Sequence, residues 1–389
     1  MAILNRFFKS INLPSFYDGR LVLTILLWVV GAEGNILPFF NPLELRPNSF
    51  AFNLQGYIAE DPVSLREFFH DWGGDYHPRS GDNAALELMR GDIGISLKRG
   101  WYLGYFYRLD AVVRANRGFV DGFHDVKNNY RLKKEKRYDL DLGVNGVESH
   151  GITIAKRFDL YKDHLHQFSM SLSAYGSYCV NSQDGTLHGK GVFHSDDSYS
   201  AAAIADYYYT HNYLYSGREI EHEFKGYGYG MDFSLLYRDM ENRNTFGLVI
   251  NDLLAQVKWQ HIPYSLVYVD TNNQRVKDGY IEYNPIIHGW ELYKNHTQKL
   301  DSRYDLWLSH SFDSGYIIKL GWQKLDFLNY PYTSIAYIWG EKKVAVAYEN
   351  RFHSISIDYK SSYFHCSILT NGLKNFSALG ISLGFLIPF

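Results

Sequence analysis

Large apolar residues alternate with small or polar residues in many stretches of the chain beyond residue 48. The segment WYLGYFYRLDAVVR (residues 101–114) carries Trp, Leu, Tyr and Val at every second position, with Gly, Arg and Asp among the residues between them. FSMSLSAYGSY (168–178) and YGYGMDFSLLYR (227–238) repeat the same period of two. Successive side chains of a β-strand point to opposite faces, so each segment predicts a strand with one apolar face.

The length of these segments separates two kinds of β protein. Sandwiches and propellers also alternate, but their strands average about 5–6 residues, whereas a strand that crosses a membrane needs about 9–11. The face of large residues here holds Tyr, Phe and Leu, where a soluble sheet would expose Lys, Glu and Thr. We therefore predict an all-β fold, an antiparallel transmembrane β-barrel of about 16 strands (range about 14–18) over residues 49–389.

The connections between the predicted strands differ in length. Residues 61–82, 115–136 and 181–198 are long and polar, while 98–100 and 159–165 are short. Long loops at one end and short turns at the other are typical of membrane barrels.

The chain ends in the strand NFSALGISLGFLIPF, in which large apolar residues alternate with mostly small ones. This ending resembles the closing strand of bacterial outer-membrane β-barrel proteins, and the match is carried by Ile381, Leu383, Phe385, Ile387 and Phe389. The resemblance implies an integral protein of the bacterial outer membrane, in contact with outer-membrane lipid and lipopolysaccharide. It also implies that the barrel-assembly machinery recognises these five residues and that periplasmic chaperones escort the chain.

A second resemblance is local. GYGYGMDFSLLYR (226–238), followed by TFGLVINDLLAQVKW (245–259), is similar to stretches of fatty-acid-transporter-like barrels. The stretch is short, and it leaves the family unresolved.

The first 34 residues have the pattern of a secretory signal peptide. Basic residues precede an apolar core at residues 21–30, and small residues follow it at cleavage-like spacing. The core is shorter than the ~20 residues of a membrane-spanning helix, and a short buried helix is the alternative. We predict a signal peptide over 1–34, a short periplasmic or lumenal segment over 35–48, and the barrel over 49–389.

Composition narrows the classes of function. Aromatic residues make up 17% of the chain, and Tyr and Trp favour membrane–water interfaces. A mean hydropathy of −0.29 excludes a bundle of transmembrane helices but allows a barrel, because alternating segments average to a polar value. A net charge of −3 gives no footprint for nucleic acid. The two cysteines, Cys179 and Cys366, build neither a disulfide framework nor a cysteine zinc motif.

No motif predicts a metal site or a cofactor. His194, Asp196 and Asp197 in HSDD, and His222 in REIEHEF, have side chains that ligate metals but no recognised ligand spacing. The basic run RLKKEKR (131–137) fits a solvated outer loop better than a site for lipopolysaccharide phosphates.

No pair of residues predicts an enzyme. Ser309 and His310 are adjacent on a predicted strand, so they point to opposite faces and cannot act as a nucleophile and its base. We therefore predict no catalytic residues, and an outer-membrane hydrolase remains the alternative.

Charged side chains fall on the polar face of several predicted strands. If that face lines the lumen, the charges would select ions or solutes, or they would pair with one another and fill the lumen. The predicted lumen-lining residues are Arg108, Asp110, Arg114, Asp232, Arg238 and Lys258.

These features predict a channel or transporter for solutes across the outer membrane, either porin-like or specific for hydrophobic substrates. The alternative is a barrel that does not transport: a structural or adhesion protein, or a component of a secretion or polysaccharide-export assembly. A continuous water path would favour transport. A lumen packed with Tyr, His and paired charges would favour the alternative.

Overall fold

The computed structural model describes residues 36–69, 72–128, 135–193, 199–211, 224–270, 274–277, 280–283 and 286–389. Its α-helices are α1 (Leu65–Phe68) and α2 (Arg117–Lys127), and short 3-10 turns lie at Pro42–Glu44 and Lys98–Gly100. No helix of these residues is long and apolar enough to cross a membrane. The strands are β1 (Ser49–Glu60), β2 (Asn83–Ser96), β3 (Trp101–Ala115), β4 (Lys136–Lys162), β5 (His166–Phe193), β6 (Tyr199–Tyr209), β7 (Gly226–Asp239), β8 (Asn244–Asp270), β9 (Gln274–Lys277), β10 (Tyr280–Tyr283), β11 (Ile286–Lys299), β12 (Arg303–Ser311), β13 (Tyr316–Leu325), β14 (Leu328–Trp339), β15 (Lys342–Glu349), β16 (Ser354–Lys360), β17 (Phe364–Thr370) and β18 (Ala378–Pro388).

Fourteen of the described strands close into the wall of an antiparallel barrel. The wall runs from β1 through β5 to β7 and β8, continues from β12 to β18, and returns to β1. The closing pair extends from Ser49 opposite Pro388 to Ala59 opposite Ala378. Because the wall has no free edge, its backbone N–H and C=O groups find their partners within the sheet.

The closed wall has 14 strands, at the lower limit of the predicted range of about 14–18, and two further strands bring the sheet to 16. The two further strands share wall positions, because β6 and β7 both pair with β5, and β11 and β12 both pair with β8. Each of these pairs lies end to end along its long partner. The main sheet of the described residues therefore has 16 strands, two of them outside the closed wall.

β4, β5 and β8 are 27, 28 and 27 residues long, which is more than a membrane wall needs. Their far halves form, with β6 and β11, a sheet that rises beyond one end of the barrel. The predicted loop 181–198 is corrected here, since β5 continues to Phe193. Residues 181–193 lack the apolar alternation of a wall strand, because a strand outside the apolar band needs no apolar face.

We call the end of the barrel that carries this sheet the loop end. The opposite end, where β1 begins and β18 ends, is the terminal end. Connections at the terminal end have only 2 to 4 residues, from 340–341 at the shortest to 97–100. At the loop end, residues 61–82 and 116–135 are long connections, whereas β13 and β14 are joined by two residues. The expected asymmetry therefore holds for the first strands and weakens along the chain.

The wall has apolar residues outside and polar residues inside. Large side chains such as Leu103, Ile154, Leu320, Ile335 and Ile357 are exposed on the outer face. A continuous apolar surface of this kind marks a membrane-facing or partner-facing wall. Buried side chains on the inner face include Arg90, Asp92, Arg108, Asp110, Ser171, Asp232 and Gln323.

The last strand has the two faces that its sequence predicts. Phe385, Ile387 and Phe389 are exposed on the outer face. Ser382, which lies nearer the loop end, is buried on the inner face. The N–H of Phe389 donates a hydrogen bond to the carbonyl of Asn48 at 3.0 Å. The end of the chain is thereby fixed to the start of β1.

A charge on the outer wall tests whether that wall faces lipid. Leu320→Arg is expected to lower the free energy of unfolding in lipid vesicles by about 2–4 kcal/mol, the cost of Arg near the bilayer midplane. The measurement is a urea titration of the refolded protein, followed by tryptophan fluorescence. Ile204→Arg is the control, because Ile204 is equally exposed but lies on β6, outside the wall. Equal losses for the two variants would contradict a lipid-facing wall.

Candidate functional site

A network of buried charges crosses the middle of the barrel interior. Arg108 of β3 donates two hydrogen bonds to the carboxylate of Asp252 on β8, at 2.5 and 2.8 Å, and also bonds to Asp110. Arg303 of β12 lies 2.5 Å from Asp110 and 3.5 Å from Asp252. The hydroxyl of Tyr175 on β5 donates to Asp252 at 2.6 Å. Buried charges are stable only when paired, so these contacts hold four strands together.

A second group of charges lies beside this network. Arg90 of β2 bonds to both carboxylate oxygens of Asp92, at 3.0 and 3.1 Å, and its guanidinium lies 4.9 Å from the ring centre of Phe40. Asp232 of β7 accepts the backbone N–H of Asp252 at 3.1 Å. We call the whole set the charge belt: Arg90, Asp92, Arg108, Asp110, Asp232, Asp252 and Arg303.

An irregularity in β8 brings Asp252 into the belt. Asp252 and Leu254 have positive φ angles of 66° and 55°, and the pairing with β7 shifts register on both sides of Met231. Asn251 and Asp252 are consequently both buried inside, whereas Leu254 is 81% exposed. Bulges of this kind re-aim side chains next to functional sites.

Residues 36–45 lie inside the barrel, and we call them the plug. The amide side chain of Asn251 accepts from the N–H of Phe40 and donates to its carbonyl, both at 2.9 Å. Arg303 of the charge belt donates to the carbonyl of Pro38 at 3.1 Å. The plug falls within residues 35–48, the predicted periplasmic or lumenal segment, and the predicted bounds of that segment stay a prediction.

Side chains of the wall hold both ends of the plug. Gln323 accepts the N–H groups of Ile36 and Leu37 at 3.2 and 3.1 Å, and Arg157 donates to the carbonyl of Leu43 at 3.3 Å. These plug contacts use side chains of the wall and no strand pairing. The hydrogen-bond ladder of the barrel therefore does not include the plug.

A large apolar cluster lies on the loop-end side of the charge belt, beside the buried Glu349, which accepts the N–H of Phe352 at 3.0 Å. Ile36, Leu37 and Phe39 of the plug pack into a buried apolar cluster there. A porin lumen is polar and filled with water, so this half of the interior differs from a porin. The wall residues of the cluster include Tyr57, Leu86, Leu88, Leu325, Tyr330 and Phe352.

A cavity of about 420 Å³ lies on the terminal-end side of the plug. Arg238, Lys319, Asp305 and Asp358 line it, together with Glu44 of the plug. Its lining is polar and of mixed charge, in contrast to the apolar cluster. The interior therefore becomes more apolar from the terminal end toward the loop end, with the belt between the cavity and the apolar cluster.

Gln298 of β11 is buried on the inner face near the loop end. Its carbonyl oxygen accepts from Ser182 and from the indole N–H of Trp259, both at 3.0 Å. Its amide nitrogen donates to Asn145 at 2.8 Å and to the carbonyl of Gly146 at 2.9 Å. All of the hydrogen-bonding capacity of this side chain is used, so Gln298 ties β11 to β4, β5 and β8.

α2 covers the loop end beyond Gln298. Phe123 packs on Trp72 with ring centres 4.6 Å apart, within a cluster that includes the inner face of the raised sheet. Tyr138 of that sheet donates to Asp125 of α2 at 2.6 Å. Burial, and then this hydrogen bond, raise the pKa of Tyr138 well above its ordinary value, so the phenol stays a donor.

The structure separates the six predicted lumen-lining residues. Arg108, Asp110 and Asp232 are buried in the charge belt. Arg238 lines the terminal-end cavity. Arg114 lies at the loop end of β3, half-exposed and paired with an aspartate.

Lys258 lies on the outer face of the wall, and its predicted lumenal position is corrected. Its ammonium lies 5.8 Å from the ring centre of Tyr229, which is exposed on the outside. Val257 and Trp259 on either side of it are buried inside. The prediction assumed that apolar residues face outward, but at this height the interior is apolar.

Sequence reasoning missed Arg90, Asp92, Asp252, Arg303 and the plug. One signal was present, because an Arg and an Asp two residues apart share a strand face. That spacing occurs at Arg90 and at Arg303 as it does at Arg108. The polar pair Asn251–Asp252 in the apolar run GLVINDLLAQV was a second signal.

The motifs considered for metal ligation lie outside the described residues. These are HSDD with His194, Asp196 and Asp197, and REIEHEF up to Glu223, and most of the basic run 131–137 lies outside as well. Ser309 lines the terminal-end cavity, while His310 is exposed. The two point to opposite faces, as the alternation predicts.

No family model matches this chain, and no curated protein matches it. Among solved structures it is similar to a deltaS2S3 mutant of TodX, a monoaromatic hydrocarbon channel, at 9% identity over 92% of this chain and 97% of that one, with a TM-score of 0.45. It is similar to the toluene transporter TodX of P. putida at 10% identity over 88% and 91%, with a TM-score of 0.43. It is also similar to the outer membrane protease OmpT of Escherichia coli at 11% identity over 89% and 97%, with a TM-score of 0.21.

Similarity at this level transfers neither a substrate nor an activity to the chain. The closed antiparallel barrel with its apolar outer wall confirms the predicted class, a barrel of the outer-membrane type. The family within that class stays unresolved.

Removal of one belt charge tests the network. Arg108→Met is expected to lower the free energy of unfolding by about 3 kcal/mol, because Asp252 and Asp110 lose a buried partner. Urea unfolding of the refolded barrel measures it. Arg114→Met, at a half-exposed ion pair, is the control and should cost at most about 1 kcal/mol. Similar losses in the two variants would contradict a network that stabilises the barrel.

Proposed function

We propose that this protein is an outer-membrane transporter whose pathway is the barrel interior, closed by the plug in the state described above. The wall supports the location, since its exposed apolar surface suits lipid. The short turns support the orientation, with the terminal end in the periplasm and the loop end outside, as in bacterial barrels.

The observation that carries the proposal is the way the plug is held. Its backbone bonds to amide and guanidinium groups of the wall at Asn251, Gln323 and Arg303, and not to a strand. Amide groups of this kind exchange a protein partner for water at small net cost. A segment held so is suited to leave and return while the barrel stays folded.

The apolar cluster indicates the substrate class. Ile36, Leu37 and Phe39 occupy an interior region lined by Leu, Tyr and Phe. These side chains fill space that a small apolar molecule would fill when the plug leaves. We therefore propose small hydrophobic solutes as the substrates and not ions or sugars.

A non-transporting barrel is the second candidate, and one observation favours it. The charge belt and Gln298 tie strands together across the interior. If these contacts never open, the interior serves only to stiffen the wall.

Removal of the plug separates the two functions. Deletion of residues 36–45 is expected to raise single-channel conductance in planar bilayers at least about tenfold, and to speed entry of the apolar dye N-phenyl-1-naphthylamine into vesicles. The physical reason is that the deletion joins the cavity to the apolar half of the interior.

A locked variant is the matched control. Phe40→Cys and Asn251→Cys, joined by a short bis-maleimide in a background with Cys179→Ser and Cys366→Ser, should abolish dye entry that the unlinked pair allows. Heat-dependent gel migration shows that each variant is folded. A folded deletion variant that passes neither ions nor dye would overturn transport and favour the structural barrel.

A further inference from the structure

Aromatic and basic side chains meet on the outer wall near the loop end. The strand register places Tyr178, Tyr227, Lys258 and Thr297 side by side across β5, β7, β8 and β11. Gln256 and Lys299 lie one step below this row, and below them the outer face of β5 and β7 is apolar, with Leu172 and Met231 exposed. The raised sheet begins above the row. The row therefore lies where the apolar band ends, which is the position of a lipid headgroup.

Three lysines gather at this row, and we call them the lysine triad: Lys225, Lys258 and Lys299. Lys225 is two residues before Tyr227 on the same face, and Lys299 is two residues beyond Thr297. Each is a diagonal neighbour of Lys258, at about 7–8 Å between backbones. The ammonium of Lys225 lies 6.0 Å from the ring centre of Tyr178.

Nothing in the described chain neutralises the triad. No carboxylate of the described residues lies within 4.0 Å of its ammonium groups. The acidic group on a neighbouring strand is Glu148 of β4, which accepts the hydroxyl of Tyr107 at 2.9 Å. Like charges on neighbouring strands destabilise a sheet, so this arrangement suits an anion from outside the protein.

We propose that the lysine triad binds the phosphate groups of a phosphorylated glycolipid of the lipid A type in the outer leaflet. This site rests on the proposed location, which places the loop end outside. The lysines and tyrosines lie at the upper border of the apolar outer wall. This arrangement fits a lipid whose anionic headgroup contacts the lysines and whose acyl chains lie along the wall. The two diagonals together span about 15 Å. This span suits two phosphates at opposite ends of one disaccharide headgroup better than the single phosphate of a phospholipid.

The test is lipid binding to the detergent-refolded barrel, measured by native mass spectrometry. The probes are bis-phosphorylated lipid A, the same lipid without phosphates, and phosphatidylglycerol. The folded protein should bind bis-phosphorylated lipid A at least about tenfold more tightly than either other probe. Lys225→Gln, Lys258→Gln and Lys299→Gln together should remove most of that preference, since each lysine near an anionic surface contributes about a fivefold factor.

A second triple variant controls for net charge. Lys98→Gln, Lys162→Gln and Lys342→Gln remove three exposed lysines at the terminal end and should leave the preference unchanged. If the first triple variant misfolds, Lys258→Gln alone should still lower lipid A binding about fivefold.

Three results would overturn the site. They are equal loss in the two triple variants, equal binding of dephosphorylated lipid A, and equal binding of phosphatidylglycerol. Binding needs no transport, so a barrel that stays closed to ions and dye can still pass this test.

Discussion

Closure of β18 onto β1 is the constraint on which the rest of the structure depends. In a closed wall with an apolar outer surface, the polar side chains point inward, where each needs a hydrogen-bond or charge partner. A barrel of about eight strands is just filled by its own side chains, and this wall has 14. The remaining interior has to be filled by something else. The plug, the charge belt and Gln298 are what fill it here, so the interior contents follow from the width of the wall.

The wall itself could be predicted from the sequence, because the two faces of each strand appear as an alternation of apolar with small or polar residues. The segment 101–114 and the last strand both kept the faces that their alternation predicts. The strand count could not be predicted in the same way. Whether β6 and β7 occupy one wall position or two depends on how both pair with β5, and pairing between distant segments leaves no local pattern.

The interior was predictable only in part, for a related reason. Alternation identified the face of Arg108 and Asp110, but the partner of Arg108 is Asp252, 144 residues away. Lys258 was misplaced because apolar residues were assumed to face lipid, and Trp259 beside it is buried inside. The plug has no periodic pattern, since its side chains contact the wall on all sides. Its run of apolar residues ILPFF was compatible with burial and did not specify where.

Arg303 shows why departure of the plug would leave the ion pairs of the charge belt in place. It donates to the carbonyl of Pro38 in the plug, yet it also contacts Asp110 and Asp252. If the plug leaves, Arg303 loses one neutral acceptor and keeps both carboxylates, whereas the ion pair between Glu44 of the plug and Lys360 of the wall is broken. Asn251 and Gln323 lose neutral partners that water can replace.

The proposed opening would also expose the apolar surface of Ile36, Leu37 and Phe39 and of the cluster around them, which costs free energy. At about 25 cal/mol per Å² of apolar surface, an entering hydrophobic molecule offsets that cost in proportion to the area it covers, whereas an ion or a sugar offsets little of it. Under the proposed function, a plug of this composition would make opening depend on the hydrophobicity of the solute, through area alone and without a specific contact.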